Sequence, residues 1–387
     1  MKIGILTLFD QVSYNYGGTL QCLAMQNILK SMGHDVIVIN YQSDEHKSLV
    51  FKVLSRLSSI TNCNELVGFF SDLCTDLSRI INNKASRYNL SNPLFESLIN
   101  QKFSLTPVVN EKQIAFIANS LDAIIVGSDQ VWSGFAKKQL VYLFDWIPEY
   151  KGLRISYAAC SSRPRVPRLN QRKISVLLNK MNAISVRDIQ TSKLVHQVSG
   201  MTPTIVLDPT FLYDFHNEEE DITINGAYIF AYCLGTEIRG GFSKTFQYIK
   251  SQHPNAKIVT INIPGFGEKI QKYADIILDQ CSPGQWITLI KNAELVFTDS
   301  FHGVCFSLKY SKPFIAFYSL QWRASRLLDI KQRFKLDRYI VTSWQEIRDR
   351  KAIINKPDYT ILQSQLQTLI ENSWDYLHSA LIPAKHE

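Results

Sequence analysis

The turn at residues 299–303 (DSFHG) carries the strongest candidate for chemistry in this chain. The apolar run at 294–298 predicts a buried strand before it, and residues 304–310 predict a helix after it. Open α/β sheets bind ligands beyond the carboxyl ends of their strands, where helix N-termini offer free N–H groups to anions. His302 could therefore transfer a proton or bind an anion there. The alternative is that it caps the helix or fills a gap in the core.

A glycine-bearing turn near the N-terminus has the same position relative to a strand. Asn15, Tyr16, Gly17 and Gly18 follow a predicted strand at 2–8 and precede a helix at 19–32. They are candidates for a backbone cradle beside an acceptor substrate, and the alternative is a turn with no further role. The spacing is not that of the dinucleotide-binding fingerprint, so NAD binding is not predicted.

A third polar turn, at residues 127–132 (GSDQVW), follows the predicted strand 121–126. Asp129 could act as a general base or position a substrate hydroxyl, and otherwise it is a helix N-cap. Ser128 and Gln130 are candidate binding residues beside it. Trp132 could stack on a sugar ring or belong to the core.

Arginines complete the set of candidate ligands. Arg187 ends a predicted strand at 183–186, where its guanidinium could bind a carboxylate or phosphate through two parallel hydrogen bonds. The alternative is a surface salt bridge with Asp188 or a neighbouring residue. Arg323 and Arg326 are at helical spacing near the end of the second set of strands. They either face the same cleft or cover the outside of a helix.

The elements that must position these residues form two alternating α/β units. The first spans residues 1–205 and includes a helical insertion around 43–112, on the acceptor side. The second spans 206–387 and contains the DSFHG turn. We predict two Rossmann-like domains facing a cleft, with the last helix, at about 361–377, packing back on the first domain.

The composition is that of a globular protein. The chain has 387 residues, 45% apolar residues and a net charge of +8. The seven cysteines show no metal-binding spacing, so no metal is predicted, and neither a signal peptide nor a membrane-spanning run is evident. We therefore expect a cytoplasmic protein, with a position at the inner face of the cell membrane as an alternative. The positive charge suits an anionic small molecule or membrane surface, whereas no nucleic-acid motif accompanies it.

Two further segments of the chain are basic. Residues 46–60 form a predicted amphipathic helix in which Lys47, Lys52 and Arg56 carry the charge. Such a helix can lie on an anionic membrane, although it can equally pack on its own domain. The loop 163–168 (RPRVPR) could contact an anionic substrate or simply be solvated.

Five stretches, in order, resemble the polysaccharide pyruvyl transferase family. They are NYGGTLQ (15–21), VGSDQVW (126–132), ISVRD (184–188), VLDPTFL (206–212) and TDSFHG (298–303), the last followed by KPFIAF (312–317). The resemblance implies a GT-B-like fold. It also implies transfer of the pyruvyl group of phosphoenolpyruvate to a sugar of a surface or capsular polysaccharide precursor, exopolysaccharide included. The product is a cyclic ketal, phosphate is released, and the chemistry needs no metal or organic cofactor.

The resemblance assigns expected roles to the candidate residues. The donor carries a carboxylate and a phosphate, so Arg187 is expected to bind an anionic group of phosphoenolpyruvate. The enol carbon must be protonated, and His302 is expected to be the acid or the phosphate anchor. Asp129 is expected to handle the acceptor hydroxyl. The acceptor is expected to be a glycan repeat unit or its lipid- or nucleotide-linked precursor.

One feature departs from the family pattern. Many members have arginine and leucine before the histidine, as RLHG, whereas this chain has Ser300 and Phe301 before His302 and Gly303. Ser300 could donate a weaker hydrogen bond, and if the family's arginine binds the donor, another cation must replace it here. The candidates nearby are Lys309, Lys312, Arg323 and Arg326.

Two other functions remain open at this stage. One is a GT-B glycosyltransferase that uses a nucleotide-sugar donor. The other is a non-catalytic glycan-binding relative, which the loss of the arginine would favour. In either case Gly17, Asp129 and His302 are predicted to point into one cleft.

Overall fold

The computed structural model describes residues 1–9, 14–42, 92–135, 137–235, 237–319, 324–353 and 356–382. The predicted basic helix at 46–60 and Arg323 lie outside the described residues, as does most of the predicted insertion. Among the described residues, no helix is long and apolar enough to cross a membrane.

The first half of the chain forms a parallel sheet of six strands in the order β2-β1-β3-β4-β5-β6. The strands are β1 (Lys2–Leu6), β2 (Asp35–Val38), β3 (Ala123–Val126), β4 (Leu153–Ala159), β5 (Ala183–Val186) and β6 (Thr204–Ile205). The helices of this half are α1 (Tyr16–Ser31), α2 (Pro93–Lys102), α3 (Glu111–Ala118), α4 (Arg168–Asn179) and α5 (Ile189–Ser199). Two 3₁₀ helices, Ser133–Phe135 and Lys137–Leu143, follow β3. The central strands are buried on both faces, which explains their continuous apolar runs.

The second half forms another parallel sheet of six strands, in the order β12-β11-β10-β7-β8-β9. Its strands are β7 (Tyr228–Tyr232), β8 (Lys257–Ile261), β9 (Ile276–Leu278), β10 (Leu295–Thr298), β11 (Phe314–Phe317) and β12 (Ile340–Val341). Its helices are α6 (Phe242–Gln252), α7 (Glu268–Gln271), α8 (Pro283–Asn292), α9 (Phe301–Lys309), α10 (Ser325–Arg333), α11 (Trp344–Asp349) and α12 (Tyr359–Ala380). The connecting segment contains 3₁₀ helices at Pro209–Phe211 and His216–Glu218.

The predicted fold class, two α/β units each built on a parallel sheet, is confirmed. Each sheet has one point where the strand order reverses, between β1 and β3 in the first sheet and between β7 and β10 in the second. Ligands of such sheets bind at these switch points. The turns singled out from the sequence lie at or next to them.

The two halves share one continuous apolar core. Tyr16, in the first turn of α1, is fully buried and donates a hydrogen bond to the carbonyl oxygen of Cys281 in the second half, at 2.9 Å. Its ring stacks on Trp286 with centroids 5.6 Å apart. Tyr16 therefore joins the two halves, which corrects the expectation that it faces a substrate.

The last helix, α12, packs on the first sheet. Tyr376 donates a hydrogen bond to the carbonyl oxygen of Ser156 in β4, at 2.8 Å, and Ser373 accepts one from the Leu207 N–H, at 3.0 Å. The chain thus crosses the junction twice, once through the segment after β6 and once through α12.

Candidate functional site

The start of α1 approaches the second half of the chain closely. The Asn15 side chain caps the helix by accepting a hydrogen bond from the Gly18 N–H, at 3.0 Å. A Cβ added to Gly17 would lie only 2.0 Å from Nδ1 of His302. The absence of a side chain at Gly17 is therefore what lets α1 contact His302, and two motifs far apart in the sequence meet here.

A tight turn between β10 and α9 positions His302. Ser300 is the N-cap of α9, where its hydroxyl accepts a hydrogen bond from the Gly303 N–H at 3.3 Å. A Cβ added to Gly303 would lie 2.6 Å from the Thr298 hydroxyl, so the helix packs directly on the end of its own strand. His302 is consequently buried in the first turn of α9, with 6% of its surface exposed.

A buried carboxylate, Asp208, faces His302 from the segment after β6. Its Oδ2 lies 3.5 Å from Nε2 of His302, an ion-pair distance longer than a good hydrogen bond. The same oxygen accepts hydrogen bonds from Arg187 at 2.6 Å and from Ser128 at 2.8 Å. Burial alone would raise the pKa of Asp208, but His302, Arg187 and the Thr210 N–H together hold its pKa well below the ordinary value. Asp208 is therefore an ionised group at neutral pH.

Sequence reasoning missed Asp208 as a site residue. Its Asp-Pro pair indicates a turn, and any turn would explain it. The available signal was that Asp208 lies within the VLDPTFL stretch and follows a strand, as the other site residues do. Its partners follow β3 and β5 or lie on α9, so only the folded chain shows the contacts.

Arg187 is the centre of the buried network and is not open to solvent. Besides Asp208 and Ser128, it donates to Asp129 at 3.3 Å and contacts the sulfur of Cys160 at 3.2 Å. Its guanidinium carbon lies 4.2 Å from the centre of the Phe301 ring. Only 3% of the residue is exposed. These contacts correct the expectation that Arg187 offers a free anion-binding group, because protein groups already occupy both terminal nitrogens.

The alternative for Arg187, a salt bridge with Asp188, does not describe it either. Asp188 is the N-cap of α5, where its carboxylate accepts hydrogen bonds from the N–H and the hydroxyl of Thr191, at 2.7 and 2.9 Å. The two neighbouring residues thus have separate tasks. Arg187 orients carboxylates at the junction, and Asp188 begins a helix.

Asp129 is partly exposed and lies between two arginines. Its backbone has a φ of 74°, a left-handed conformation that aspartate adopts only occasionally. Burial alone would raise its pKa, but Arg187, Arg326 and His302 together lower it. A carboxylate with a lowered pKa is a weak base at neutral pH. The geometry therefore favours hydroxyl positioning over proton abstraction for this residue.

Arg326, on α10, is a partly exposed cation at the site, and its fellow candidate Arg323 lies outside the described residues. One of its nitrogens lies 3.6 Å from the Asp129 carboxylate, and its guanidinium carbon lies 5.5 Å from the centre of the Phe301 ring. With the Gln130 amide oriented so that its oxygen faces Arg326, that oxygen accepts hydrogen bonds at 2.9 and 3.1 Å. A quarter of the Arg326 side chain remains exposed, 25% by area.

The two candidate lysines lie elsewhere. Lys309 is in the last turn of α9, where its ammonium group donates to the carbonyl oxygen of Phe211 at 3.3 Å. Burial lowers the pKa of Lys309 to about 8, as expected for an ammonium group without a carboxylate partner at hydrogen-bond distance. Lys312 follows the end of α9. Neither residue approaches the first turn of α9, which leaves Arg326 as the site cation among the described candidates.

Two side chains fix α10, and with it Arg326, to the first half of the chain. The Asp329 carboxylate accepts a hydrogen bond from the Ile189 N–H at 3.1 Å, at the start of α5. Arg333 donates to Asp329 at 2.6 Å and to the carbonyl oxygen of Arg187 at 2.9 Å. Helix α10 is thereby held across the end of β5.

Trp132 belongs to the core. It is fully buried, its indole N–H donates to the carbonyl oxygen of Tyr142 at 3.1 Å, and its ring stacks on Phe135. It therefore presents no exposed face to a sugar ring, which corrects the stacking interpretation. Phe301 is likewise buried, beneath the guanidinium groups described above.

The switch point of the second sheet is occupied by the chain's own carboxylates. Asp299 accepts hydrogen bonds from the N–H groups of Leu234 and Gly235, at 2.7 and 2.6 Å. Burial raises the pKa of Asp299 to about 6, against the lowering effect of these hydrogen bonds. Glu237 accepts a hydrogen bond from the Phe242 N–H at the start of α6, at 2.5 Å. Backbone groups that could bind an anion here are therefore already paired with carboxylates.

With this geometry established, comparison with known families decides the classification. The family model described as polysaccharide pyruvyl transferase matches residues 15–320. The chain belongs to this family. The match includes Gly17, Asp129, Asp208 and His302, whereas Arg326 and the rest of α10 lie just beyond it. The family resemblance seen in the sequence is thus confirmed.

Solved structures place this pyruvyl transferase family member among GT-B-like folds. It is similar to Anabaena Alr3699/HepE in complex with UDP-glucose, with a TM-score of 0.55 and 12% identity over 98% of this chain and 100% of that one. It is also similar to S. aureus MnaA with UDP, with a TM-score of 0.51 and 11% identity over 100% and 99% of the two chains. At these identities the similarity shows the fold alone. No curated protein matches the chain significantly.

Proposed function

We propose that the protein transfers the pyruvyl group of phosphoenolpyruvate to two hydroxyls of a sugar, forming a cyclic ketal and releasing phosphate. The observation that carries the proposal is the contact between His302 and the ionised Asp208, at the junction of the two halves. A histidine oriented by a carboxylate is a recurring arrangement for proton transfer. It lies within the residues that define the family.

The reaction needs one proton at carbon and one at phosphate. In the proposed sequence, His302 protonates C3 of the donor, which becomes a methyl group while positive charge develops at C2. One sugar hydroxyl adds to C2 and loses its proton, which restores the proton on the histidine. The C2–O bond to phosphate then breaks, and the second hydroxyl bonds to C2, its proton leaving with the phosphate. The two hydroxyl protons thus balance the new methyl group and the protonated phosphate.

The orientation of His302 suits this step. Its Nε2 faces Asp208, so Nδ1 is the nitrogen that would exchange a proton with the donor. Nδ1 lies against Gly17, where a side chain would occupy the space beside it. Gly17 therefore serves the proposed chemistry by leaving that side of the imidazole without a Cβ.

Arg326 is the proposed donor-binding cation. It is partly exposed, whereas Arg187 is buried and paired, and the charge of phosphoenolpyruvate requires at least one accessible guanidinium. It would replace the arginine that other members carry before the histidine. Asp129, held between the two arginines, would orient the acceptor hydroxyl. In this interpretation Arg187 keeps Asp129 and Asp208 in place and does not contact the donor.

The main alternative is a nucleotide-sugar donor, since the similar solved structures named above contain UDP or UDP-glucose. Asp299 and Glu237 argue against this donor. Their carboxylates accept hydrogen bonds from the N–H groups of Leu234, Gly235 and Phe242. A diphosphate at this switch point would find those N–H donors already paired, and the two carboxylates would repel its negative charge. The smaller donor, bound beside Arg326 and His302, avoids this conflict.

Ligand-induced stabilisation tests the choice of donor. A ligand at 100 times its dissociation constant stabilises the folded state by about 2.7 kcal/mol, which a thermal melt detects. Phosphoenolpyruvate should raise the melting temperature of the wild type, and a UDP-sugar that also does so would be bound as an acceptor and not in place of this donor. Arg326→Ala should lose the effect, whereas His302→Ala should largely keep it, because it removes the acid and not the cation. Stabilisation by a UDP-sugar alone would overturn the proposal in favour of a glycosyltransferase.

A further inference from the structure

Helix α4 has apolar side chains on two opposite faces. Ile174 and Leu178 are fully buried in a second apolar core, which is formed within the first half of the chain. Leu169 and Val176, which are close to the opposite side of the helix at 100° per residue, are 86% and 51% exposed. Packing among the described residues explains the first pair. It does not explain why two aliphatic residues lie at the centre of the outer face.

The outer face of α4 is also strongly basic. Between residues 163 and 180 the chain has six lysines and arginines and no aspartate or glutamate. Arg168, Arg172 and Lys180 are exposed and flank Leu169 and Val176 on the helix surface. One further cation, Lys173, is paired with Asp145 at 2.7 Å. The result is an aliphatic centre between rows of positive charge.

We propose that this surface, defined by Arg168, Leu169, Arg172, Val176 and Lys180, docks on the anionic surface of a lipid bilayer. Aliphatic side chains enter the boundary between headgroups and acyl chains, and flanking cations pair with anionic headgroups. The long stems of lysine and arginine let their charges reach the headgroups while their methylenes cover apolar surface. The proposal goes beyond the catalytic function and does not depend on it.

A bilayer fits this surface better than the other possible occupants. A second copy of the chain would bring an identical set of cations, and like charges oppose such contact. Nucleic acid would pair with the cations but leave Leu169 and Val176 without a role. An anionic bilayer, in contrast to these two, uses both the charge and the aliphatic centre.

The position of α4 also connects the surface to the candidate site. The loop that leads into α4 begins directly after Cys160, whose sulfur contacts Arg187. If the proposed function holds, a bilayer at α4 would bring a lipid-linked acceptor to the first half of the chain, on which Asp129 lies.

Vesicle co-sedimentation of the full chain tests the proposal. Vesicles of phosphatidylglycerol with phosphatidylcholine should bind the wild type at low salt, and phosphatidylcholine alone should not. The triple variant Arg168→Glu, Arg172→Glu, Lys180→Glu should bind roughly 100-fold more weakly or worse, since each cation near an anionic surface contributes about fivefold. Leu169→Gln should weaken binding about tenfold while leaving the charge unchanged.

A matched control removes the same charge elsewhere. Lys272, Lys335 and Lys356 are exposed on the second half, and changing all three to glutamate should have only a small effect. A second arm changes Lys47, Lys52 and Arg56 to glutamate. The proposal is overturned if the wild type does not bind, if the second-half control lowers binding equally, if only the 47/52/56 variant does, or if Leu169→Gln binds like the wild type.

Activity separates this proposal from the proposed function. Phosphate release with a water-soluble acceptor should be equal in the wild type and the α4 variants, because their exposed side chains are not part of the site. Equal activity together with lost vesicle binding supports the docking surface. Loss of soluble activity in a folded α4 variant would contradict a role restricted to the membrane.

Discussion

Replacing Gly17 with alanine would disturb the site with a single methyl group. The new Cβ would lie 2.0 Å from Nδ1 and 2.3 Å from Cγ of His302, although real Cβ contacts are essentially never shorter than 3.0 Å. The two groups must therefore separate by about 1 Å. Tyr16 anchors α1 through its hydrogen bond to Cys281, so we expect the imidazole to move and not the helix.

The expected loss follows from that displacement. Misplacing a reacting group by about 1 Å can cost about 10²-fold in rate. We therefore expect Gly17→Ala to lower kcat/KM for phosphate release about 100-fold while the protein still folds. The assay is the initial rate of phosphate release from phosphoenolpyruvate with an acceptor that the wild type uses, alongside a thermal melt of each variant.

Two variants make this prediction specific. Gly18→Ala would place its Cβ 2.3 Å from the Asn15 amide, so it should disturb the helix cap, cost about 1 kcal/mol of stability and spare most of the activity. In the His302→Ala background, Gly17→Ala should cost nothing further, because the clashing ring is gone. Near wild-type activity for Gly17→Ala alone would refute the reasoning.

Three further predictions concern the surrounding groups. Asp208→Asn should lower kcat about 10–100-fold, because the histidine would be misoriented. It should also lower the free energy of unfolding by about 3–5 kcal/mol, because it leaves a buried arginine poorly paired. An unchanged kcat would exclude the orienting role. Asp329→Asn should raise the KM for phosphoenolpyruvate, because Asp329 fixes the helix that carries Arg326. The effect should vanish in an Arg326→Ala background. An additive increase in KM would show that the carboxylate does not act through the arginine. Asp299, with its pKa raised from 3.8 to about 6, binds its proton more tightly in the folded state, so its contribution to stability falls as pH rises from about 4 to 6. Urea unfolding at pH 4 and pH 7 should therefore show Asp299→Asn gaining up to about 3 kcal/mol relative to the wild type; a parallel pH dependence of the two proteins would contradict the assignment.

The alternation of apolar runs with amphipathic helical segments was sufficient to predict the sheets. Buried parallel strands give continuous apolar runs, and β5 and α8 have the predicted bounds, 183–186 and 283–292. The ends of strands also indicated where the site would form. Because all strands in each sheet are parallel, polar residues after several strands necessarily collect at the same edge.

The starts of two helices were predicted too late because glycines lie in their first turns. Helix α1 begins at Tyr16 and α9 at Phe301, each three residues before the predicted start. In both cases the sequence suggested a turn because of Gly17 and Gly18, or Gly303. The structure shows that Gly17 and Gly303 lie in the first turn of a helix and are needed for close approach to His302 and Thr298. Such contacts involve residues that no local pattern relates.

Long-range pairing also explains why the roles of the charged residues could not be predicted. Arg187 follows a strand and could have been open to a ligand, but Asp208 and Asp129 pair with its terminal nitrogens. Arg326 does not lie at the end of a strand, but the packing of α10 on the first half of the chain places it at the site. Which arginine is buried and which is exposed depends on the packing of the two halves and not on the local sequence.

The central claim is that His302 drives pyruvyl transfer from phosphoenolpyruvate. The most direct measurement is to count phosphate released and ketal formed in one reaction, by phosphate assay and mass spectrometry of the acceptor, for the wild type and His302→Ala. We predict equal amounts of both products in the wild type, and a rate about 10²–10⁴-fold lower in the variant with its melting temperature preserved. Normal phosphate release by His302→Ala, or phosphate release without ketal in the wild type, would contradict the account.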